Sequence, residues 1–153
     1  YSLVGRRPSG LTVRSLVDDE ELRPYYNSHL FSVDPGLGLM RRWLQLFRTA
    51  VRDEGFQRSA CADDLHRIFL HQAVLSALVD GTLGEKRLRQ LPPGYSYPLH
   101  FHSSVPSRHR VRTLEDCVCP VYEGAFVHPD TLNGLPPGTR MDSWLAAHAP
   151  SAG

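Results

Sequence analysis

The sequence predicts an α/β fold, and three observations predict it. Apolar residues at Leu39, Met40, Trp43, Leu44, Phe47 and Val51 recur at the three-and-four spacing of an amphipathic helix. A second run, from about Asp63 to Val79, is apolar around most of a helical circumference. Short apolar or alternating stretches bounded by Pro, Gly, Asn and Asp read as strands. With 153 residues, the chain is read as a single domain over 1–153, long enough to bury a real core.

Composition narrows the class. Hydrophobic residues make up 41% and charged residues 22%, as in an ordinary soluble globular protein. A formal charge of +1 argues for no nucleic-acid partner. All the cations but Lys86 are Arg; they are scattered along the chain, so codon bias explains them better than a phosphate patch. No apolar run reaches the length that crosses a bilayer, so no membrane span is expected. The chain opens on Tyr1-Ser2-Leu3-Val4-Gly5 without a signal peptide, which is the expectation for a piece of something longer. Cys61, Cys117 and Cys119 cannot all pair, and Cys-x-Cys is not a Cys-x-x-Cys clamp. A reduced, cytoplasmic setting is the simplest account. A zinc site from Cys117, Cys119 and a nearby His would need a fourth ligand.

Along the chain, residues 1–14 are rich in Gly, Arg and Ser and read as a loop-like N-terminal edge. Asp18-Asp19-Glu20-Glu21 suits the first turn of a short helix ending at Pro24, since carboxylates favour a helix N-terminus. His29 to Val33 reads as an apolar strand, entered through a polar corner at Asn27-Ser28 and closed by Asp34-Pro35-Gly36. The first long helix spans Leu39 to about Asp53; burying its stripe would contribute on the order of ten kcal/mol before entropy is counted. Gly55 to Ala62 reads as a polar connector. The second helix carries His71 and Gln72 inside its apolar run, with glycines of Asp80-Gly81-Thr82-Leu83-Gly84 in cap-like positions.

Arg87 to Leu91 alternates like a short strand before the Pro92-Pro93-Gly94 turn. Tyr95 to His102 reads as extended chain, and Pro98 argues for an edge or a loop. Arg108-His109-Arg110-Val111-Arg112 is a basic cluster. Thr113 to Asp116 resembles a helix start with Thr113 as N-cap. Val121 to His128 reads as the last strand, Asn133 to Gly138 as a loop, and Asp142 as the cap of a terminal helix carrying Trp144 and Leu145.

Four pieces in a fixed order carry a resemblance: Tyr26-Asn27-Ser28, Leu70-His71-Gln72-Ala73-Val74-Leu75, Leu91-Pro92-Pro93-Gly94-Tyr95, and His128 shortly before Trp144-Leu145. Together, over roughly residues 20 to 148, they resemble the C-terminal, acceptor-side portion of type-A-fold nucleotide-sugar glycosyltransferases of the glycogenin and galactosyltransferase-like group. The resemblance implies a mixed sheet flanked by helices, a nucleotide-sugar donor, a carbohydrate or other small acceptor, and retaining transfer of a hexose. It also implies a divalent metal, manganese or magnesium, which neutralises the departing diphosphate. On this reading Asn27 and Gln72 are catalytic, Ser28, His71 and Tyr97 bind substrate, and His128 and His100 are metal ligands.

The chain departs from the pattern at named positions. It has no Asp-x-Asp, places His29 after Asn-Ser where Gly is usual, His71 where an acid precedes Gln, and lacks the Lys-Pro-Trp ending. These gaps fit a fragment without the nucleotide-gripping half, inactive alone.

Each candidate has a plainer rival. Asn27 and Ser28 are also ordinary turn residues that hydrogen-bond their own backbone. His71-Gln72 is equally a buried, satisfied pair. His100 and His102, two apart, would share one face of an edge strand. Arg108, Arg110 and Arg112 would hold a phosphate or line a solvated edge. Two other classes stay open: a non-catalytic interaction or anion-binding module, and a metallohydrolase using His100, His102 and His128, which has no His-x-x-x-His helix to support it.

Overall fold

The computed structural model describes residues 1–121, 135, 136 and 138–148. Among them the chain is mixed α/β, with four α-helices and two sheets of two strands each. It divides into two compact units: residues 1–13 with 21–89, and residues 14–20 with 90–153. Two short strands, β1 (Val13–Arg14) and β2 (Glu21–Leu22), pair with each other. β2 and the turn before it stand where a helix from Asp18 was expected. Asp19 adopts φ 56°, outside the right-handed helical region, and Ser15 closes the turn with Glu20 through both backbone and hydroxyl.

The first unit is built on α1 (Leu39–Arg52), α2 (Glu54–Ala60) and α3 (Asp64–Thr82). α1 and α3 match the periodicity closely. α2 replaces the expected connector: the Asp53 carboxylate accepts from the Phe56 N–H at 2.9 Å, an N-cap that restarts the chain as helix one residue after α1 ends. Asp63 caps α3 in the same way, accepting from the His66 N–H at 2.9 Å. Gly81 lies inside α3 rather than capping it; a Cβ there would stand 2.8 Å from the Arg6 Cβ, so the glycine lets the N-terminal segment cross close to the helix. That segment is packed, not frayed. Val4 is buried with Leu39, Leu75, Leu78, Val79 and Leu83 in one core cluster.

His29 to Val33 is not a strand. A bend at Ser28–Leu30 breaks the extended path, and Leu30 and Phe31 stay exposed. Arg87 to Leu91 forms no strand either; a 3₁₀ turn over Glu85–Arg87 precedes it. A five-residue apolar run earns β structure only from a neighbouring strand, and the described residues offer these two runs none.

In the second unit, β3 (Tyr95–Pro98) pairs in parallel with β4 (Cys119–Val121), with partners Tyr95–Cys119, Tyr97–Pro120 and Pro98–Val121. The register shifts between Tyr95 and Tyr97, where Ser96 takes φ 57°. Pro98 sits at the end of a two-stranded ribbon, where its missing N–H costs least. The core gathers Tyr97, Leu99, Val105, Leu114 and Leu135. Asp116 accepts from the Thr113 N–H at 2.9 Å, so the helix start at Thr113 is present, as one 3₁₀ turn over Leu114–Asp116. The last helix, α4, spans Thr139–His148, beginning three residues before Asp142 and leaving Trp144 exposed. Most of the expected strand Val121–His128 lies outside the described residues.

Gly94 makes a close approach in this unit: a Cβ would meet the Asp116 carbonyl oxygen at 2.7 Å. Gly94→Ala is therefore expected to cost about 2 kcal/mol, a typical overpacking penalty. Urea unfolding followed through Trp144 in a Trp43→Phe background reads it, and an unchanged midpoint would show that the turn yields freely.

Candidate functional site

Sequence separates Tyr26-Asn27-Ser28 from Gln72 by more than forty residues, and both lie in the first unit. The Tyr26 N–H donates to the Ser76 hydroxyl at 2.7 Å, and Ser76 lies one helical turn after Gln72 on the same side of α3. Burial of Tyr26, with the Asp80 carboxylate nearby, raises its phenol above the ordinary range. Gln72 is only 6% exposed as a residue, and among the described residues no hydrogen bond joins its side-chain amide to the rest of the protein; the amide atoms themselves are not sealed from solvent. The amide therefore keeps its donors and acceptor available at the edge of the packing around it.

Asn27 behaves as a turn residue: its Oδ1 accepts from the His29 N–H at 2.9 Å. That leaves the amide NH₂, two donors, directed by a closed ring. Ser28 is half-buried and Asn27 exposed, so the corner is reachable from solvent. His71 points elsewhere. Its ring Nδ1 lies 3.0 Å from the Ile68 carbonyl, its own carbonyl accepts from the Trp43 indole N–H at 2.9 Å, and its side chain lines a groove on α1. Neighbouring positions on α3 thus serve two different surfaces.

Tyr97 and His100 belong to the second unit. Tyr97 is fully buried, and its hydroxyl lies 2.8 Å from His102 Nδ1. Burial raises the Tyr97 phenol and lowers the His102 imidazole, and the Arg110 guanidinium lowers His102 further. His102 is therefore a core hydrogen-bonding partner of Tyr97, a pairing that alternation along the chain does not reveal. His100 and His102 do not share a strand face, because a 3₁₀ helix over Leu99–Ser104 follows Pro98 and puts residues two apart on different sides. His100 packs its ring against Phe101, with centroids 4.3 Å apart. His128 lies outside the described residues.

Among the described residues, no three His, Cys, Asp or Glu side chains gather as a metal ion requires. Burial pushes the Cys117 thiol up to about 11, with the Asp116 charge adding to it, which opposes the thiolate that zinc binds. Two arginines of the basic cluster are spent on structure. Arg108 pairs with the Asp19 carboxylate, holding it below its ordinary range, and Arg110 donates to the Ser103 and Val105 carbonyls at 2.8 and 2.7 Å.

The groove on α1 is the other feature of the first unit. It encloses about 610 Å³ and is lined by Met40, Arg41, Trp43, Leu44, Phe47 and His71. The stripe expected to be buried is split: Leu39 is buried, Trp43 and Phe47 are half-buried, and Met40, Leu44 and Val51 are exposed. α3 is split lengthwise, buried from Leu70 onward except at positions such as Ala73, with Leu65, Ile68 and Phe69 exposed. Among the described residues, no helix is long and apolar enough to cross a membrane. No protein family, curated protein or solved structure matches the chain.

Proposed function

We propose that this chain is the acceptor-side portion of a sugar-nucleotide glycosyltransferase of type-A fold, moving a hexose from a nucleoside diphosphate to a carbohydrate or similar small acceptor. The observation that carries the proposal is the Gln72 side-chain amide, open to solvent on a residue only 6% exposed and without a protein partner among the described residues, one turn from the point where Tyr26 is tied to α3. A primary amide offers donors and an acceptor at once, which matches a pair of adjacent sugar hydroxyls. Gln72 would hold that diol, and the Asn27 NH₂ and Ser28 hydroxyl would flank it. Holding the sugar in one orientation is what lets the bond to the leaving diphosphate break toward the acceptor.

A manganese or magnesium ion on the diphosphate would need ligands beyond those the described residues bring together. Asn27 and Gln72 act on the sugar, and neither depends on the metal. The hydrolase alternative is weakened by His102, whose Nδ1 is committed to Tyr97 inside the core.

Calorimetric titration with glucose, galactose and maltose, the sugars an acceptor-side portion would hold without the nucleotide-gripping half, tests the reading. Binding of at least one sugar is expected, weakened about tenfold by Gln72→Ala, the loss of roughly one hydrogen bond to a ligand. Far-UV circular dichroism should not change. No heat with any of the three, or identical isotherms for wild type and variant, would overturn it.

A further inference from the structure

We infer that the exposed face of α1 is a docking seam for an amphipathic helix of another chain, one that carries glutamates or aspartates along a flank. Met40, Leu44, Phe47 and Val51 follow one another at spacings of four, three and four, the interval that keeps a stripe turned to one facing helix. Three of them are exposed, and the fourth, Phe47, lines the groove together with Trp43. Beside this stripe, Arg41 and Arg48 stand seven residues apart, with Arg52 one turn on. All three are exposed, α1 contains no acid, and among the described residues none of the three makes an ion pair.

Charge chooses the occupant. On the heptad count that puts the apolar stripe at a and d, Arg41 and Arg48 both fall at e, and Trp43 and Ala50 at g. A second copy of α1 laid antiparallel would set these arginines against each other. Laid parallel, it would set them against Trp43 and Ala50, with no acid to meet. A partner helix with acids on the facing flank satisfies both the stripe and the arginines. The seam is about three turns long, so this is a short helix-in-groove contact and not an extended coiled coil. The groove is concave, which suits a protruding Leu or Phe better than a flat lipid surface. This surface is separate from the Gln72 amide and does not depend on the transferase reading.

The test uses two labelled three-heptad peptides, both with Leu at a and d, one with Glu and the other with Lys at e and g. Fluorescence anisotropy with the whole chain is expected to show the Glu peptide binding at least tenfold more tightly, with the gap narrowing as salt rises. Arg41→Glu/Arg48→Glu should reverse the preference, and Leu44→Asp should abolish binding without changing the circular dichroism. The inference is overturned if both peptides bind equally. It is also overturned if the double charge variant keeps the Glu preference, if Leu44→Asp instead dissolves a dimer seen in sedimentation, or if the only binding it abolishes is to phosphatidylserine vesicles.

Discussion

Leu78→Ala is expected to lower the stability of the first unit by about 3 kcal/mol, within the range for enclosed Leu-to-Ala changes. Leu78 is fully buried on the second half of α3, where Val4 from the N-terminal segment, Leu39 from α1, and Leu75, Val79 and Leu83 close around it. Its neighbours come from three stretches of chain, each pinned by its own contacts, so they cannot collapse into the space that three lost carbons leave. The transfer and cavity costs then add. For a unit of this size the loss corresponds to a midpoint lower by about 15 °C. Thermal unfolding followed by Trp43 fluorescence in a Trp144→Phe background isolates the first unit. Leu65→Ala is the control: Leu65 is 64% exposed, and its removal should change stability by no more than about half a kcal/mol. Equal effects at the two positions would mean that the apolar cluster around Leu78 is not the core.

The contrast between Leu78 and Leu65 also marks how far the sequence could be read. Periodicity placed α1 to within one residue and α3 to within three, because helical spacing is set by local geometry that any partner must respect. It does not encode which part of an apolar stripe a partner covers, so the exposed half of α1 and the exposed first half of α3 are not legible in the sequence. α2 was hidden because its helix signal is a cap, Asp53 over Phe56, in a segment with little apolar periodicity. The runs at 29–33 and 87–91 failed for the opposite reason: β structure needs a neighbour, and no local pattern supplies one. Of the candidate site, the polar corner and the buried Gln72 were visible as residue types. The tie between Tyr26 and α3 was not, since it depends on Ser76, a residue with no chemistry of its own to draw notice. Tyr97 and His102 are both legible as residue types, but their partnership depends on the 3₁₀ turn after Pro98.

Asp80→Ala is expected to cost about as much as the Leu78 change, roughly 3 kcal/mol, for an electrostatic reason. Asp80 is almost wholly buried near the end of α3, a position that normally disfavours a negative charge both by burial and by the helix dipole. It is tolerated because the N-terminal segment wraps its donors around it: the Tyr1 hydroxyl at 2.6 Å, the Ser9 N–H at 3.1 Å and the Ser9 hydroxyl. Burial pushes the Asp80 carboxyl up, but these hydrogen bonds together with Arg23 outweigh it and hold the group below its ordinary range. Tyr1 answers from the other side, its phenol pushed up to about 12 by burial and by the Asp80 carboxylate. The pH dependence follows from the two directions. A depressed carboxyl gives its full stability above the unfolded value of about 4 and loses it as pH falls through the folded value. A raised phenol gives its full stability below about 10 and loses it as pH rises toward 12. The stability gap between wild type and Asp80→Ala should therefore be widest on the plateau between those limits and close at both ends. Urea midpoints measured from pH 3 to 11 would show it; a gap that stays constant below pH 4 would mean that Asp80 holds the N-terminal segment by shape and not by charge.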